Sequence, residues 1–341
     1  MQIQDFTYQL PKDRIASRPP AIRGDAKLLV LDRETGNIAD KAYREVTDYL
    51  RKGDVVVLNN TKVIKARLYV QAASGELVEL VLVEQHGKRD DWHRHKVLYR
   101  GKLDSGDMLT VGTHTISVSM VVGDGLAIVE SKSDLMQLAE EYGNVPLPPY
   151  MKREATTEDV VRYQTEFAKT KGSVAAPTAS LNMTKEIIQG LKAKGVIVVE
   201  LTLHVGLGTF LPIRVDDIQK HKMHSEWFHI PVDTVEAIQR AKNNGNKVLA
   251  VGTTVARTLE YSADQITKST NELSGEADIF IHPGYDFKIV DMLLTNFHAP
   301  KSTVLMLAAA FAGWDNLKSA YDHALNNGYS FLSYGDSMLI L

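Results

Sequence analysis

Apolar runs that stop abruptly at small or hydrogen-bonding residues recur through the second half of the chain. The three clearest runs are VVELTLHVGLGTFLPI at 198–213, VLAVGTTVARTLE at 248–260 and VDMLLTNFHAP at 290–300. In α/β proteins, strands that end in this way present backbone groups and polar side chains to a small ligand. We therefore expect the three strand ends to converge on one binding site.

Helical and strand-like periodicities alternate after Pro149. The spacing of apolar residues predicts helices over Thr184–Lys194, Val232–Asn243, Thr254–Tyr261 and Trp314–Asn326. Apolar and β-branched runs predict strands over Val196–His204, Lys247–Val251, Ile279–Ile281 and Lys288–Leu294. The polar stretch Asp264–Glu276 is predicted to be a mobile loop. This alternation of helices and strands indicates α/β architecture.

The first half of the chain begins with predicted α/β elements and continues into a segment rich in short strands. The predicted elements near the amino terminus are a strand over Lys27–Asp32, a hairpin turn over Glu34–Asn37 and a helix with Tyr43, Val46 and Leu50 on its apolar face. From about residue 69 to residue 130, short alternating segments separated by glycines predict a small β-barrel or sandwich. The sequence thus predicts a mixed α/β fold, with residues 1–60 and 150–341 in one α/β domain and residues 61–149 in an inserted β domain.

Composition narrows the functional classes. A length of 341 residues exceeds the usual size of a single core, about 250–300 residues, which favours two domains. A net charge of −3 gives no global positive field, so a nucleic-acid partner would need a local basic patch. The absence of cysteine excludes disulfides, thiolate catalysis and cysteine-ligated metals. Without an apolar leader or a long uncharged run, a cytoplasmic location without a membrane span is expected.

The glycines after His204 do not fit a dinucleotide-binding loop. Such a loop requires a third glycine that opens a helix, whereas Pro212 here disfavours helical geometry at Leu211. An ordinary glycine turn is as compatible with Gly206 and Gly208 as a functional loop. The neighbouring histidine and threonine favour a loop that binds a nucleoside or an amino acid.

Polar residues near the other strand ends are further candidates for chemistry. His221, His224 and Glu226 could ligate a metal, but the spacing of the histidines differs from that of helical zinc motifs. Substrate contact, acid–base work or a plain surface turn is favoured for this segment. Asp336 follows a turn and is either a base or a carboxylate that stabilises the turn.

Basic residues cluster in the β-rich middle of the chain. Lys62, Lys65 and Arg67 surround a predicted strand pair, and Arg94, Lys96 and Arg100 lie in the cationic segment HGKRDDWHRHKVLYRGK. Such clusters are often only solvated faces. Because Trp92 and Tyr99 are interleaved with the cations, the segment could instead follow a phosphate backbone or stack on an unpaired base.

Taken in order, ten motifs resemble the S-adenosylmethionine:tRNA ribosyltransferase-isomerases of queuosine biosynthesis, over nearly the whole chain. The motifs are LLVLD, GDVVVLNNTKVIKARL, PLPPYMKR, RYQTEFAKTKGSVAAPTA, LTLHVGLGTF, HKMHSEW, VGTTVARTLE, IFIHPGYDFKIVD, LLTNFHAPKSTVLMLAAAFAG and YGDSML. The resemblance implies an α/β domain built from both chain ends with an inserted β-barrel. It also implies transfer of the ribosyl part of S-adenosylmethionine to a 7-aminomethyl-7-deazaguanine in the anticodon of tRNA, with loss of adenine and methionine.

The implied reaction needs no metal and no cofactor, because the sulfonium of the co-substrate S-adenosylmethionine both acidifies C5′ and leaves. We expect His204 or His298 to transfer the proton, oriented by Asp336 or Glu226. The expected substrate pocket comprises Gly206, Gly208, Thr209, Phe210, Gly252, Thr253, Thr254, Arg257, Thr295 and Asn296, with Tyr163, Gln164, Ser173, Pro177, Thr178 and Asn182. The expected partners are the tRNA anticodon region and S-adenosylmethionine, with no membrane, and the expected working form is a monomer.

The chain departs from the family pattern in three places. Ser180, Asn182 and Met183 stand where the pattern has Gly, His and Phe, and Leu211 stands where it has Arg. The basic segment around Lys96 also differs. Asparagine forms hydrogen bonds but does not shuttle protons near neutral pH. Two alternatives therefore stay open: a paralogue that binds S-adenosylmethionine or another nucleoside and modifies a different substrate, and a non-catalytic module that binds RNA or a ligand.

Overall fold

The computed structural model describes residues 1–83, 92–206, 213 and 215–341. Its strands are β1 Lys27–Leu31, β2 Ile38–Ala42, β3 Val55–Asn59, β4 Thr61–Val63, β5 Arg67–Ala72, β6 Leu77–Leu82, β7 Arg94–Arg100, β8 Met108–Val111, β9 His114–Gly123, β10 Leu126–Ser131, β11 Thr170–Ser173, β12 Ile197–Leu203, β13 Glu226–Ile230, β14 Val248–Val251, β15 Leu273–Ala277, β16 Met292–Asn296 and β17 Ser337–Ile340. Its α-helices are α1 Leu135–Tyr142, α2 Thr157–Arg162, α3 Lys185–Ala193, α4 Val232–Asn243, α5 Thr253–Tyr261, α6 Ala263–Ile266, α7 Thr303–Ala312 and α8 Trp314–Asn326.

A mixed sheet joins the two ends of the chain. Over the described ranges its nine strands follow the order β15-β13-β12-β3-β14-β16-β17-β1-β2. The four neighbours β12, β3, β14 and β16 are parallel. The carboxy-terminal strand β17 is antiparallel to β16 and parallel to β1. Residues from the beginning and the end of the sequence therefore share one sheet.

Apolar side chains cover both faces of this sheet. In the central strand β3, Val55 and Val57 pack into a cluster with α4, α5, α7 and α8, whereas Val56 and Leu58 pack into the opposite cluster with α3. Parallel strands covered on both faces read as continuous apolar runs. This packing explains why VVVL in β3 shows no alternation of polar and apolar residues.

The β-rich middle of the chain is a closed antiparallel barrel. Its strands follow the order β10-β7-β6-β5-β8-β9, and β10 pairs with β9 to close it. Side chains at alternate positions, such as Leu68, Val70, Leu80 and Val97, fill its interior. The predicted fold class, an α/β domain from both chain ends with an inserted β-barrel, is confirmed. The domain boundaries at 60/61 and 149/150 stay a prediction, since β4 within the insertion pairs with β11 outside it.

The four helices predicted after Pro149 correspond to α3, α4, α5 and α8. The segment carrying Tyr43 and Val46 is helical, but it is a 3-10 helix over Tyr43–Tyr49. Helix α7 lies where no helix is predicted, because nearly all of its residues are buried and no amphipathic period marks it. In the described part of the chain, no helix is long and apolar enough to cross a membrane.

One predicted strand is wrong, and another begins later than predicted. Ile279–Ile281 is not a strand; the strand is β15, which lies in the stretch predicted to be a mobile loop and pairs with β13 as the edge of the sheet. The predicted strand Lys288–Leu294 begins only at Met292. The preceding amides, those of residues 288–290, instead donate to the Glu260 carboxylate at 2.9–3.0 Å. This loop around a buried carboxylate uses the donors that a strand would need.

Candidate functional site

The carboxyl ends of the four parallel strands lie along one edge of the sheet. β12 leads into His204, β14 leads into Gly252, and β16 ends with Asn296. In open α/β sheets, ligands bind in the crevice outside the carboxyl ends of the strands. The structure thus brings the three strand ends of the sequence analysis to the same edge.

A cleft opens at this edge, with about 780 Å³ of space free of protein atoms, part of it open to solvent. The cleft is lined by Tyr150, Ala176, Pro177, Thr178, Ala179, Val205, Gly252, Thr253, Thr254, Thr295, Asn296, Phe297, His298, Ala299, Ser302, Val304, Leu332 and Ser333. Seven of the predicted pocket residues, and His298 of the predicted acid–base groups, are among them.

Asn296 forms part of the floor of the cleft. Thr178 Oγ1 donates to Asn296 Oδ1 at 2.8 Å, and Asn296 Nδ2 donates to the Asp336 carbonyl oxygen at 3.4 Å. The first contact ties the loop of Pro177 and Thr178 to the end of β16. These contacts hold the predicted substrate-binding residues of two distant segments on one wall.

His298 is one of the residues that line the cleft. The distance between its Nε2 and Thr295 Oγ1 is 2.7 Å, and its main chain is held by the hydroxyl groups of Tyr8 and Tyr321. Burial lowers the pKa of His298 from 6.5 to about 3, so the imidazole is neutral at physiological pH. A neutral imidazole can accept a proton at one ring nitrogen while the other donates a hydrogen bond.

His204 lies outside the described lining of the cleft. Its Nδ1 is 2.8 Å from Thr61 Oγ1, and its ring stacks on Trp227 with 5.1 Å between the centroids. The backbone of Gly172 packs against the same ring: a Cβ atom there would lie 2.6 Å from His204 Nε2. Only glycine fits this approach. Strand pairing and stacking therefore hold His204 in a dry position beside the cleft.

Glu226 and Arg257 form a buried ion pair. The guanidinium Nη2 donates to Glu226 Oε2, and Glu226 Oε1 accepts the amide N–H of Gly206 at 2.7 Å. Only 3% of the Glu226 side chain and 7% of the Arg257 side chain are exposed. The pair links α5 to the loop that follows β12. The Glu226 carboxylate thus positions Arg257 and the Gly206 amide.

Asp336 stabilises the junction of β1 and β17. Its two carboxylate oxygens accept the backbone N–H groups of Lys27 and Ser330, each at 2.7 Å. Burial raises the pKa of this carboxyl. The Asp336 side chain lines a separate groove with Lys27 and Lys41, and the described lining of the cleft does not include it.

Four other predicted pocket residues make internal contacts. Gln164 bonds both backbone groups of Val63, at 3.0 and 2.7 Å, and Ser173 Oγ accepts the Val205 amide N–H at 2.9 Å. Tyr163 is fully buried, and Asn182 lines a small pocket separate from the cleft. Gly208, Thr209 and Phe210, together with Leu211, lie outside the described residues.

The predicted tRNA-binding residues divide into two groups. Arg94, Lys96 and Arg100 are exposed on the outer face of β7, while Val97 between them points into the barrel. Glu130 pairs with Arg94 at 3.2 Å and Glu79 lies 3.9 Å from Arg100. In contrast, Lys62, Lys65 and Arg67 are half-buried; Arg67 pairs with Glu79 at 2.9 Å and Lys65 donates to the Glu140 carbonyl oxygen.

Several lining residues were missed by the sequence analysis. Tyr150 belongs to the PLPPYMKR motif, and Leu332 and Ser333 directly precede the YGDSML motif. Ser302 is the N-cap of the unpredicted helix α7, and Val304 lies in its first turn. A helix start signal was present, since Ser302 is a typical N-cap residue and its Oγ accepts the Leu305 amide N–H.

The metal alternative concerned His221, His224 and Glu226. His221 packs edge-on against Phe280, with 5.0 Å between ring centroids, and Glu226 binds Arg257. Among the residues the structure describes, no group of three or more His, Cys, Asp or Glu side chains is arranged to hold a metal ion.

Comparisons with known proteins match this chain along its length. The family model described as "Queuosine biosynthesis protein" matches residues 3–340. A relative from Chlorobium chlorochromatii (strain CaD3), named S-adenosylmethionine:tRNA ribosyltransferase-isomerase, is 53% identical over 100% of both chains. A relative of the same name from Polynucleobacter necessarius subsp. necessarius (strain STIR1) is 44% identical over 100% of this chain and 98% of its own. The crystal structure of S-adenosylmethionine tRNA ribosyltransferase from Thermotoga maritima is 35% identical, with a TM-score of 0.57 over 99% of this chain and 100% of its own. The chain therefore belongs to the family of queuosine biosynthesis proteins.

Proposed function

We propose that this chain transfers and isomerises the ribosyl moiety of S-adenosylmethionine onto 7-aminomethyl-7-deazaguanine at the tRNA wobble position, which gives epoxyqueuosine and releases adenine and methionine. The observation that carries the proposal is the full-length match to relatives named S-adenosylmethionine:tRNA ribosyltransferase-isomerase, at 53% and 51% identity. The cleft at the carboxyl ends of the parallel strands supports it, because α/β proteins bind small ligands there.

The reaction requires a base for the C5′ proton, a donor to the departing adenine and a pocket that excludes water from the intermediates. His298 is the proton-transfer group we propose, since it lines the cleft and its ring is held by Thr295. Thr295, 2.7 Å from Nε2, is the orienting partner in this proposal, in place of Asp336 or Glu226.

A histidine that acts as an acid–base group contributes about 10²–10⁴-fold to turnover. We therefore expect His298→Ala to reduce kcat by about 10²–10⁴-fold while the protein still binds S-adenosylmethionine. For His204 we propose a supporting role, because the Thr61 contact and the Trp227 stack fix its ring beside the cleft. A kcat for His298→Ala within about threefold of the unmodified protein would reject the assignment to His298.

The exposed face of β7 is the surface we propose for the tRNA backbone. Arg94, Lys96 and Arg100 lie along this face of the barrel, and side chains in such a row can contact successive phosphates. We propose a monomer as the working unit. We propose a cytoplasmic location, where the tRNA substrate is found, and S-adenosylmethionine as a consumed co-substrate without a further cofactor.

The decisive assay incubates the protein with S-adenosylmethionine and tRNA that carries the 7-aminomethyl-7-deazaguanine precursor. We expect stoichiometric adenine and methionine, and epoxyqueuosine in nuclease digests of the tRNA analysed by mass spectrometry. Nucleoside binding without adenine release would reject the proposal and favour a paralogue that modifies a different substrate. Absence of binding to either ligand would replace it with a non-catalytic module.

The paralogue alternative is not favoured. The most prominent departure from the family pattern is Asn182, whose side chain lies in a separate pocket with Arg23 and Arg162. The Asn182 Oδ1 atom is 3.4 Å from the Gly24 amide nitrogen. This position is outside the described lining of the cleft. An asparagine in place of the histidine of the family pattern therefore leaves the proton-transfer groups of that lining unchanged.

A further inference from the structure

A second, smaller cavity adjoins the cleft between α5 and α7. It contains about 320 Å³ of space free of protein atoms, against about 780 Å³ for the main cleft, and both spaces are partly open to solvent. The cavity is lined by Met223, Thr253, Thr254, Arg257, Ile279, Phe280, Ile281, Thr303, Val304 and Leu307. Thr253, Thr254 and Val304 line both spaces, so the smaller one is a side cavity of the cleft.

Two helix N-termini meet at this side cavity. α5 begins at Thr253 and α7 begins at Thr303. The first amides of a helix have no intrahelical acceptor, and the helix dipole gives this end a partial positive charge. The N-cap of α5 is Gly252, which has no side chain to accept these amides. The side cavity therefore has a wall of backbone donors that favours an anion.

Two buried polar atoms of the same lining lack partners. Arg257 Nε and Thr303 Oγ1 have no hydrogen bond to any described residue, and both residues are only 6% exposed. Glu226 binds the guanidinium through Nη2 and leaves Nε unsatisfied. Leaving a buried donor unpaired destabilises a protein by about 1–3 kcal/mol, so such donors often mark the position of a bound ligand.

The remaining walls define what can enter. Met223, Ile279, Phe280 and Leu307 make the far side apolar, which excludes a highly hydrated multivalent anion. A side cavity less than half as large as the cleft does not admit a polynucleotide backbone. A carboxylate at the end of a short aliphatic chain satisfies both conditions, because its oxygens face the donors and its methylene groups face the apolar wall.

We propose that the side cavity binds the α-carboxylate of the methionine part of S-adenosylmethionine, with Thr303 Oγ1, Arg257 Nε and the first amides of α5 as donors. This assignment rests on the proposed function. It orients the co-substrate so that its methionine end lies between α5 and α7 and its ribose and adenine occupy the main cleft, towards His298 and Asn296.

The test compares S-adenosylmethionine with its decarboxylated analogue, which keeps the sulfonium and the nucleoside. The variant is Thr303→Val, which removes the hydroxyl group with little change in volume. The matched control is Thr165→Val, because Thr165 is also buried with an unpartnered Oγ1 but does not line the side cavity. Dissociation constants for both ligands are measured by calorimetry, and adenine release is measured with precursor-bearing tRNA.

We expect the unmodified protein and Thr165→Val to bind S-adenosylmethionine at least about 10-fold more tightly than the decarboxylated analogue, since hydrogen bonds to charged groups are the stronger class. Thr303→Val should lose about 10-fold in affinity for S-adenosylmethionine and little for the analogue. Neither variant should shift the thermal unfolding midpoint downward, because neither hydroxyl has a partner in the folded protein.

Equal losses for both ligands in Thr303→Val, or no preference for the carboxylate in the unmodified protein, would overturn the subsite. If adenine is released normally in that case, the proposed function stands and only the subsite fails. If the unmodified protein neither binds S-adenosylmethionine nor releases adenine, the proposed function fails together with the subsite.

Discussion

His298 makes the stability of the folded protein depend on pH. Its pKa falls from 6.5 to about 3 on burial, so the unfolded chain binds more protons than the folded one between these two values. The stabilising contribution is complete above about pH 6.5 and is lost progressively as the pH falls towards 3. The loss therefore begins in a range where the carboxylates are still ionised.

The magnitude follows from the two pKa values. At about pH 5 the unfolded histidine is almost fully protonated and the folded one is not, which lowers the free energy of unfolding by up to about 2 kcal/mol relative to about pH 7.5. This is an upper value, because His298 is half-buried and lines the cleft. The perturbation that isolates it is His298→Gln, whose amide can still reach Thr295 but does not titrate.

The assay is urea unfolding of both proteins at about pH 7.5 and about pH 5, with equal m-values as the check on two-state behaviour. We expect the stability of the unmodified protein to fall by up to about 2 kcal/mol more than that of His298→Gln over this interval. Burial also lowers the pKa of His221, but this contribution is common to both proteins and cancels in the difference. Parallel pH dependences in the two proteins would refute the argument that His298 is buried in its neutral form.

Three further predictions concern the other charged residues. Asp336→Asn should lower the free energy of unfolding, measured by urea denaturation, by about 1–3 kcal/mol, because the amide keeps only one of the two oxygens that accept backbone N–H groups. A loss of kcat of about 10²-fold in the folded variant would instead favour a role for Asp336 in orienting the base. Glu226→Gln should cost about 3–5 kcal/mol in the same assay by leaving Arg257 charged and unpaired, and Glu226→Gln with Arg257→Met should recover part of that loss; an additive double variant would contradict the coupling. Lys96→Ala should weaken tRNA binding and reduce the slope of log K against log salt by about 1, without changing the dissociation constant for S-adenosylmethionine. Lys318→Ala on α8 is the matched control, and identical slopes for the two variants would place Lys96 away from the phosphates.

Elements of the fold could be predicted from the sequence where local periodicity of apolar residues marks them. Helices α4 and α8 begin and end at the predicted residues because each buries one face and exposes the other. The barrel was predictable because its strands alternate and its turns contain glycine. In contrast, β15 carries Ser274, Gly275 and Glu276 and forms only through pairing with β13. Its stability comes from a partner distant in sequence, which local propensity does not register.

The location of the site was predictable to the extent that it depends on strand ends. Gly252, Thr295 and Asn296 lie in the cleft because β14 and β16 are parallel neighbours. The wall formed by the first turn of α7 could not be predicted in this way. α7 is apolar on nearly every side, so neither its period nor its polarity separates it from a buried strand.

Whether a buried polar residue at a strand end binds a ligand or supports the fold depends on where its backbone partners lie. Asp336 is satisfied by amides at Lys27 and Ser330, and the first of these is more than 300 positions away in sequence. His298 has a side-chain partner only three residues away, at Thr295, and it lines the cleft. A carboxylate that already accepts two backbone amides has little remaining capacity to orient a base, whereas a neutral imidazole with one ring nitrogen engaged keeps the other for substrate. The division of roles that we propose for Asp336 and His298 therefore follows from the pairing of β1 with β17, which brings the two ends of the chain together.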